Sequence, residues 1–322
     1  MSLRLLKPIA TRLGANVVTL IVISMVTFGL MNLKAPEDVA RSVLGREVSA
    51  AQIADFVAKN GLDAPVAVRY VDWISRFAIG DFGHSIVTGR PVSNDVLTRL
   101  NRSLTLAALG SLFGVAAGIV IGVQLALRAG SKADFRVVTG LLVIASMPEF
   151  LIGIALYLVF VVWLGWFPTQ AGMAFSFGDA WARAMTFVLP AATIGLLLMP
   201  HIARVARASA IEAFASPYVD AARLRGLSER QVSWDHAFRN AALPLMSVIG
   251  VNLVYAVSGV VVVDFLFGFP GLGALLVASI GSGDVFTTQA IVMMFAVVIV
   301  VINIAVDLAM LWLNPKARFR AA

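Results

Sequence analysis

The most chemically loaded stretch of the chain is YVDAARLRGLSERQVSWDHAFRNAALP, residues 218–244. It gathers Arg223, Arg225, Arg230 and Arg239 with Asp220, Glu229 and Asp235 around Gly226. Two further carboxylates, Glu149 and Asp307, stand inside otherwise apolar runs. Groups of this kind could bind a metal, activate a nucleophile or cradle a phosphate. The motifs those reactions need are missing. No GxxxxGK followed by Ser or Thr occurs, nor HExxH, nor GxSxG. The three histidines, His84, His201 and His236, are far apart in the expected topology, and Ser282 in its GSG setting has no evident base. The absence of cysteine removes disulfides, zinc–thiolate sites and iron–sulfur clusters. GFPGLG (268–273) neither follows a strand nor has the spacing of a nucleotide-binding loop. What remains is non-covalent chemistry: docking a partner, or moving a solute.

The polar stretch carries its own punctuation. Ser216 before Pro217 reads as an N-cap followed by a favoured first helical residue. About two turns later Gly226 suits the C′ position. Ser228 and Gln231 then form an S-x-x-Q capping box for a second helix that runs towards Pro244. Two capped helices meeting at a glycine are a built structure. Ala221 and Ala222, between Tyr218 and Arg225, allow close approach of another protein, with Tyr218 as an amphipathic anchor. The residues alone equally fit an amphipathic helix lying on a membrane surface.

Composition dictates what must carry this stretch. Of 322 residues, 60% are hydrophobic and 13% charged; a soluble domain carries about 25% charged residues. The apolar residues fall into long unbroken runs, which fit helices and not the short alternation of barrel strands. The chain reads as an all-α membrane protein with six spans, at about 9–31, 103–127, 137–165, 186–208, 245–263 and 287–313. The first span follows Arg4, Lys7 and Arg12, but it is longer than a signal-peptide core and is expected to be uncleaved. Basic residues crowd the N-terminus, the 128–136 loop, the polar stretch and the C-terminus. The short opposite loops, 166–185 and 264–286, hold only Arg183. Both termini and the polar stretch are therefore expected to be cytoplasmic. The net charge of +7 is then a matter of topology, and no nucleic-acid groove is indicated.

This gives an expected organisation of N-terminus and first span over 1–33, an extracytoplasmic domain over 34–102, a core of spans two to six over 103–313 with a polar loop at about 209–244, and a cytoplasmic tail over 314–322. Inside the extracytoplasmic domain, Val66, Tyr70, Trp73 and Phe77 recur at helical spacing, with Pro65 suited to the first turn.

Within the spans, Gly110, Gly114, Gly118 and Gly122 form three GxxxG steps in register. They make a smooth helix face, either for tight packing or as a sliding seam. Pro148 and Pro200 are expected to interrupt spans three and four. Glu149 and Asp307 either line a pathway or serve structure. The glycines and proline of 268–273 predict a bend or a short re-entrant helix after span five.

DAARLRG with a downstream LP resembles the EAA-type loop of ABC importer permeases. Asp220, Ala221, Ala222 and Gly226 match the pattern, with Asp in place of the usual Glu. The 18 residues from Gly226 to Pro244 are similar to the dipeptide/oligopeptide/nickel permease family. So are GLDAPVAVRYVDW, GDFGHSIVTGRPV, VVVVDFLFGFPGLG and VDLAMLWLNPKAR; APED (35–38) departs from that family's usual Pro-Gly-Asp-Pro-like sequence. The resemblance implies the type I ABC importer architecture in a bacterial inner membrane, for peptides or for nickel, glutathione or another small solute. It implies a homologous second permease subunit, two cytoplasmic ATPases that hold ATP and Mg, and an extracytoplasmic binding protein. It also implies that Tyr218, Asp220, Ala221, Ala222, Arg223, Arg225, Gly226 and Leu227 meet an ATPase, and that this chain has no cofactor of its own. The competing readings are an ion-coupled carrier working alone and a purely structural scaffold.

Overall fold

The computed structural model describes residues 3–45, 47–228, 231 and 239–313. Among them every regular element is helical; the only extended pairing is an isolated bridge between His84 and Pro91. Among the described residues five helices are long and apolar enough to cross a membrane, and the count reaches six if one bent pair of shorter helices is taken as a single span. The chain divides into two compact units, residues 1–103 with 270–301, and residues 104–269 with 302–322.

The first unit begins with α1 (Leu3–Met31), followed by three short helices, α2 (Pro36–Leu44), α3 (Ala50–Lys59) and α4 (Val66–Ala78). Ser49 and Gln52 close a reciprocal capping box on α3. The helical spacing expected around Tyr70 is realised in α4, whose aromatic residues meet the end of α1. Phe28 lies 5.4 Å from the Tyr70 ring and 5.7 Å from that of Trp73, and Ser24 Oγ and Tyr70 Oη share a 2.8 Å hydrogen bond. Val66 stays exposed, so the buried stripe starts one turn later than its spacing suggested. α5 (Val92–Ala126) starts in this unit, well before the expected span. The unit is completed by α12 (Leu272–Ser282), the short helix expected after span five, and by the first half of α13 (Val285–Leu313). Phe82, Val92, Val96, Leu272 and Ile291 form its buried core.

The second unit is organised around α9 (Ala180–Phe214), its most buried span. The glycines of α5 lie against it in register. A Cβ at Gly110 would stand 2.7 Å from the Cβ of Ile194, one at Gly114 2.7 Å from the Gly195 carbonyl, one at Gly118 2.9 Å from Ile202, and one at Gly122 2.5 Å from the Ala203 carbonyl. No side chain fits at any of the four, so the stripe is a line of backbone contact. α6 (Lys132–Ser146) packs on the same helix through Leu141, Met199 and Ala203.

The two prolines behave differently. At Pro148 the chain turns by 101° between α6 and α7 (Glu149–Tyr157), which continues as a π-helical turn to Trp163. Met147, forced out of the helical region by the proline that follows, is extended at ψ 134°. Pro200 does not interrupt span four: α9 runs through both Pro190 and Pro200. Pro200 is buried, and within a packed span neighbouring groups can accommodate the missing hydrogen bond. After the short α8 (Ala171–Phe177) and α9 come α10 (Pro217–Leu224) and α11 (Arg239–Leu266), where Gly250 meets Val306 of α13.

Candidate functional site: the capped polar segment and its supports

The polar segment leaves α9 at Phe214 and turns at once into α10. Pro217 is the first helical residue, as its fixed φ favours. Ser216 does something other than the expected N-cap: its hydroxyl donates to the Ala213 carbonyl and so ties off the end of α9, while its own carbonyl starts α10 by accepting from Val219 N at 3.0 Å. At the far end Gly226 takes φ 78°, and Leu227 N donates back to the Ala222 carbonyl. This is the Schellman closure, and Leu227 also packs against Ala222. Ser228 and Gln231 make the expected reciprocal bonds, at 3.1 and 3.4 Å. The second helix that they would cap lies mostly outside the described residues, as do Glu229, Arg230, Asp235 and His236.

α10 has two faces. Ala222 is 3% exposed and, with Val219, is packed on Ala213, so the two alanines of the motif do different work. Ala222 is small because the fold closes on it; Ala221 faces outward beside Tyr218, Asp220 and Arg225. The residue that sequence reasoning missed is Leu224, which is 90% exposed at the tip of the helix. A large apolar side chain is thus held out in water at the end of a capped helix. Its signal was available, as the one leucine on the polar side of the motif.

Two buried carboxylates were also missed. Asp134, at the start of α6 and 4% exposed, receives both arms of Arg207 from α9, at 2.8 and 2.6 Å. The Gly130 amide donates to the same carboxylate at 3.0 Å. This bidentate pair fixes the 128–131 turn to the last turns of α9, about two turns before that helix ends. In the first unit, Asp284 caps α13 and accepts Ser85 Oγ at 2.5 Å and Thr287 Oγ1 at 2.7 Å, which pins the 83–91 loop to that helix. Neither residue stands out by spacing, because each acts on a partner far away in sequence.

Of the expected intramembrane carboxylates, Glu149 is partly buried at the start of α7, just after the bend, with Oε2 3.1 Å from where a Gly259 side chain would begin. Asp307 is partly buried late in α13. The two lie on different elements and do not form one cluster with the polar segment. No group of three or more His, Cys, Asp or Glu side chains among the described residues could hold a metal.

Apolar spans, a bent pair and a capped polar helix between two spans are the features of a polytopic membrane protein. Comparison with known proteins fixes the family. Residues 114–319 match the model of the binding-protein-dependent transport system inner membrane component, and residues 5–107 match the N-terminal model for the same components. The chain is 32% identical to the glutathione transport system permease protein GsiC of Salmonella typhimurium, over 98% of this chain and 100% of that protein. It is 31% identical to a probable peptide ABC transporter permease of Sinorhizobium fredii, over 97% and 99%. Its fold is similar to a chain of the inward-facing MetNI methionine ABC transporter, with TM-score 0.55 and 16% identity over 68% of this chain and 96% of that one. The chain belongs to the inner-membrane permeases of binding-protein-dependent transport, in the dipeptide/oligopeptide/nickel branch. It is thus a membrane-spanning subunit of an ABC importer, a machine whose ATP hydrolysis resides in separate subunits.

Proposed function

We propose that this chain forms half of the translocation pathway of an importer for short peptides, glutathione among them. The cargo reading draws support from relatives named for glutathione and peptide transport that align over essentially the whole length. On this reading a homologous permease subunit completes the pathway, an extracytoplasmic binding protein delivers cargo, and two cytoplasmic ATPases bind ATP and Mg. α10 is the coupling element, and the observation that carries this is its two-faced construction. Val219 and Ala222 lock it to α9, its C-terminus is closed by Gly226, and Tyr218 and Leu224 are held outward. A rigid element of this kind transmits a push from a partner into the span behind it. The Asp134–Arg207 pair stiffens that span on the side of α6.

Cells that express the permease with its partner subunits should take up labelled dipeptides or glutathione, and removal of the ATPases should abolish uptake. Uptake that survives their loss but collapses with the proton gradient would instead indicate an ion-coupled carrier; uptake of nickel alone would end the peptide reading. The orientation has its own test. Reporter fusions at Ala180 and at Arg230 are expected to lie on opposite sides of the membrane, with both termini on the Arg230 side; same-side signals would overturn the arrangement.

A further inference from the structure

Taken as one span, α6 and α7 are broken where a bilayer least tolerates a break. α6 has 15 residues. It therefore rises about 22 Å, short of the roughly 30 Å hydrocarbon core. The 101° turn at Met147 and Pro148 then falls at membrane depth.

Two sets of polar groups are left there. The first is backbone. Pro148 has no N–H, and the Met147 amide donates to the Ile144 carbonyl. The Ala145 and Ser146 carbonyls at the end of α6 are thus left without a following helical amide. Ser146, Met147 and Pro148 are all exposed on this chain. Non-helical backbone at membrane depth is tolerated only where protein buries it or water reaches it. This chain does not bury it, so the break faces the interior of the assembled permease and not lipid.

The second is the Glu149 carboxylate. An ionised side chain at this depth is costly and almost always faces the bundle interior or a water-filled cavity. Glu149 is only partly buried, so a solute can reach it. Among the described residues it belongs to neither ion pair, and no hydrogen bond reaches it. It lies where α7, α9 and α11 meet: a Cβ at Gly259 would stand 3.1 Å from its Oε2 and 3.9 Å from Leu197 Cδ2. Gly259 thus leaves the carboxylate room against the α11 backbone.

The sign of the site follows. The first amides of α7 add donors at the break, but its only full charge is the carboxylate. Between Arg136 and Arg183 the sequence holds no Lys, Arg or His that could neutralise it from the same span. A carboxylate and freed carbonyls, open to the interior and unpaired, suit a cation that brings several N–H donors.

We propose that this break is a cation station in the translocation pathway, where Glu149 and the freed α6 carbonyls receive the α-ammonium of a passing peptide. This rests on the peptide reading given above, and glutathione carries the same ammonium group. Glu149 is then a specificity-determining residue of the permease itself.

The test uses the complete importer, with its ATPases and binding protein, reconstituted in lipid and trapped with ATP and vanadate. Radiolabelled dialanine and glutathione are the probes, and the readouts are cargo retained per trapped complex, uptake rate, ATP hydrolysis and melting temperature. Glu149→Gln should lower retention and uptake about tenfold, the loss of one charged hydrogen bond. Glu149→Asp should recover part of both. ATP hydrolysis and melting temperature should stay at wild-type values, which a structural role would not allow. Retention by Glu149→Gln equal to wild type overturns the proposal and leaves the peptide reading intact. So does a loss that Asp does not relieve, or one that comes with a lowered melting temperature, which would make Glu149 a structural group. A wild-type importer that takes up neither probe ends the peptide reading and this proposal with it.

Discussion

Leu224→Asp should cut uptake by at least about tenfold, the loss expected when a buried apolar anchor is removed from an interface, while insertion and subunit expression stay normal. In the isolated chain Leu224 contributes little to folding, because 90% of it is already in water. Exposed substitutions of this sort usually change stability by about 0.5 kcal/mol or less. A transport defect would therefore report on a partner. Ala222→Trp provides the contrast. Ala222 is 3% exposed against Ala213 and Val219, so an indole there cannot be housed. Overpacking costs about 1–3 kcal/mol or more, and α10 should be driven off α9. This variant should also lose transport, but with increased protease cleavage near Gly226. The measurements are uptake, ATP hydrolysis by the assembled importer, and limited proteolysis. Wild-type uptake by Leu224→Asp would remove α10 as the point of contact with an ATPase.

The second large effect is expected at the Asp134–Arg207 pair. Removing one partner of a hydrogen-bonded ion pair leaves the other charge without its acceptor or donor. The Arg207 side chain is 29% exposed and can reach water when abandoned, which moderates the loss. Asp134→Ala should therefore lower the melting temperature of the purified chain. It also strips the Gly130 amide of its acceptor and loosens the 128–131 turn. The double replacement Asp134→Leu with Arg207→Met should recover much of the loss, because no unpaired charge is left buried. Thermal unfolding in detergent, followed by size-exclusion chromatography, measures both. If Asp134→Ala melts with the wild type, the pair is not a structural clamp. If the double variant regains stability but not uptake, the pair also sets the position of the last turns of α9 for transport.

Much of the architecture was legible because a bilayer leaves few choices. Runs of about 20 apolar residues have to become helices that satisfy their own backbone. Local chemistry also read well: Gly226 takes the left-handed turn that its position after two helical turns required, and Ser228 with Gln231 makes its box. Pro148 produced a bend because an extended Met147 could precede it, whereas Pro200 did not, because the packing around α9 holds that helix together.

What sequence spacing could not reach was which side of a helix meets which neighbour. DAARLRG is recognisable as a family motif, but only the packing of α10 on α9 separates Ala222, turned inward, from Ala221 and Leu224, turned outward. The four glycines of α5 announced a smooth face; the tertiary structure supplied its partner, Ile194 through Ala206 of α9. Asp134 with Arg207 and Asp284 with Ser85 were invisible for the same reason. Sequence by itself determined the apolar runs, the Gly226 closure, the Ser228–Gln231 box and the family resemblance, because periodicity, turn chemistry and motif are local; the Ser216 hydroxyl, expected as an N-cap, was taken by the end of α9 instead. The ion pair and the loop clasp joined residues 73 and 199 positions apart, and only the folded chain could decide them.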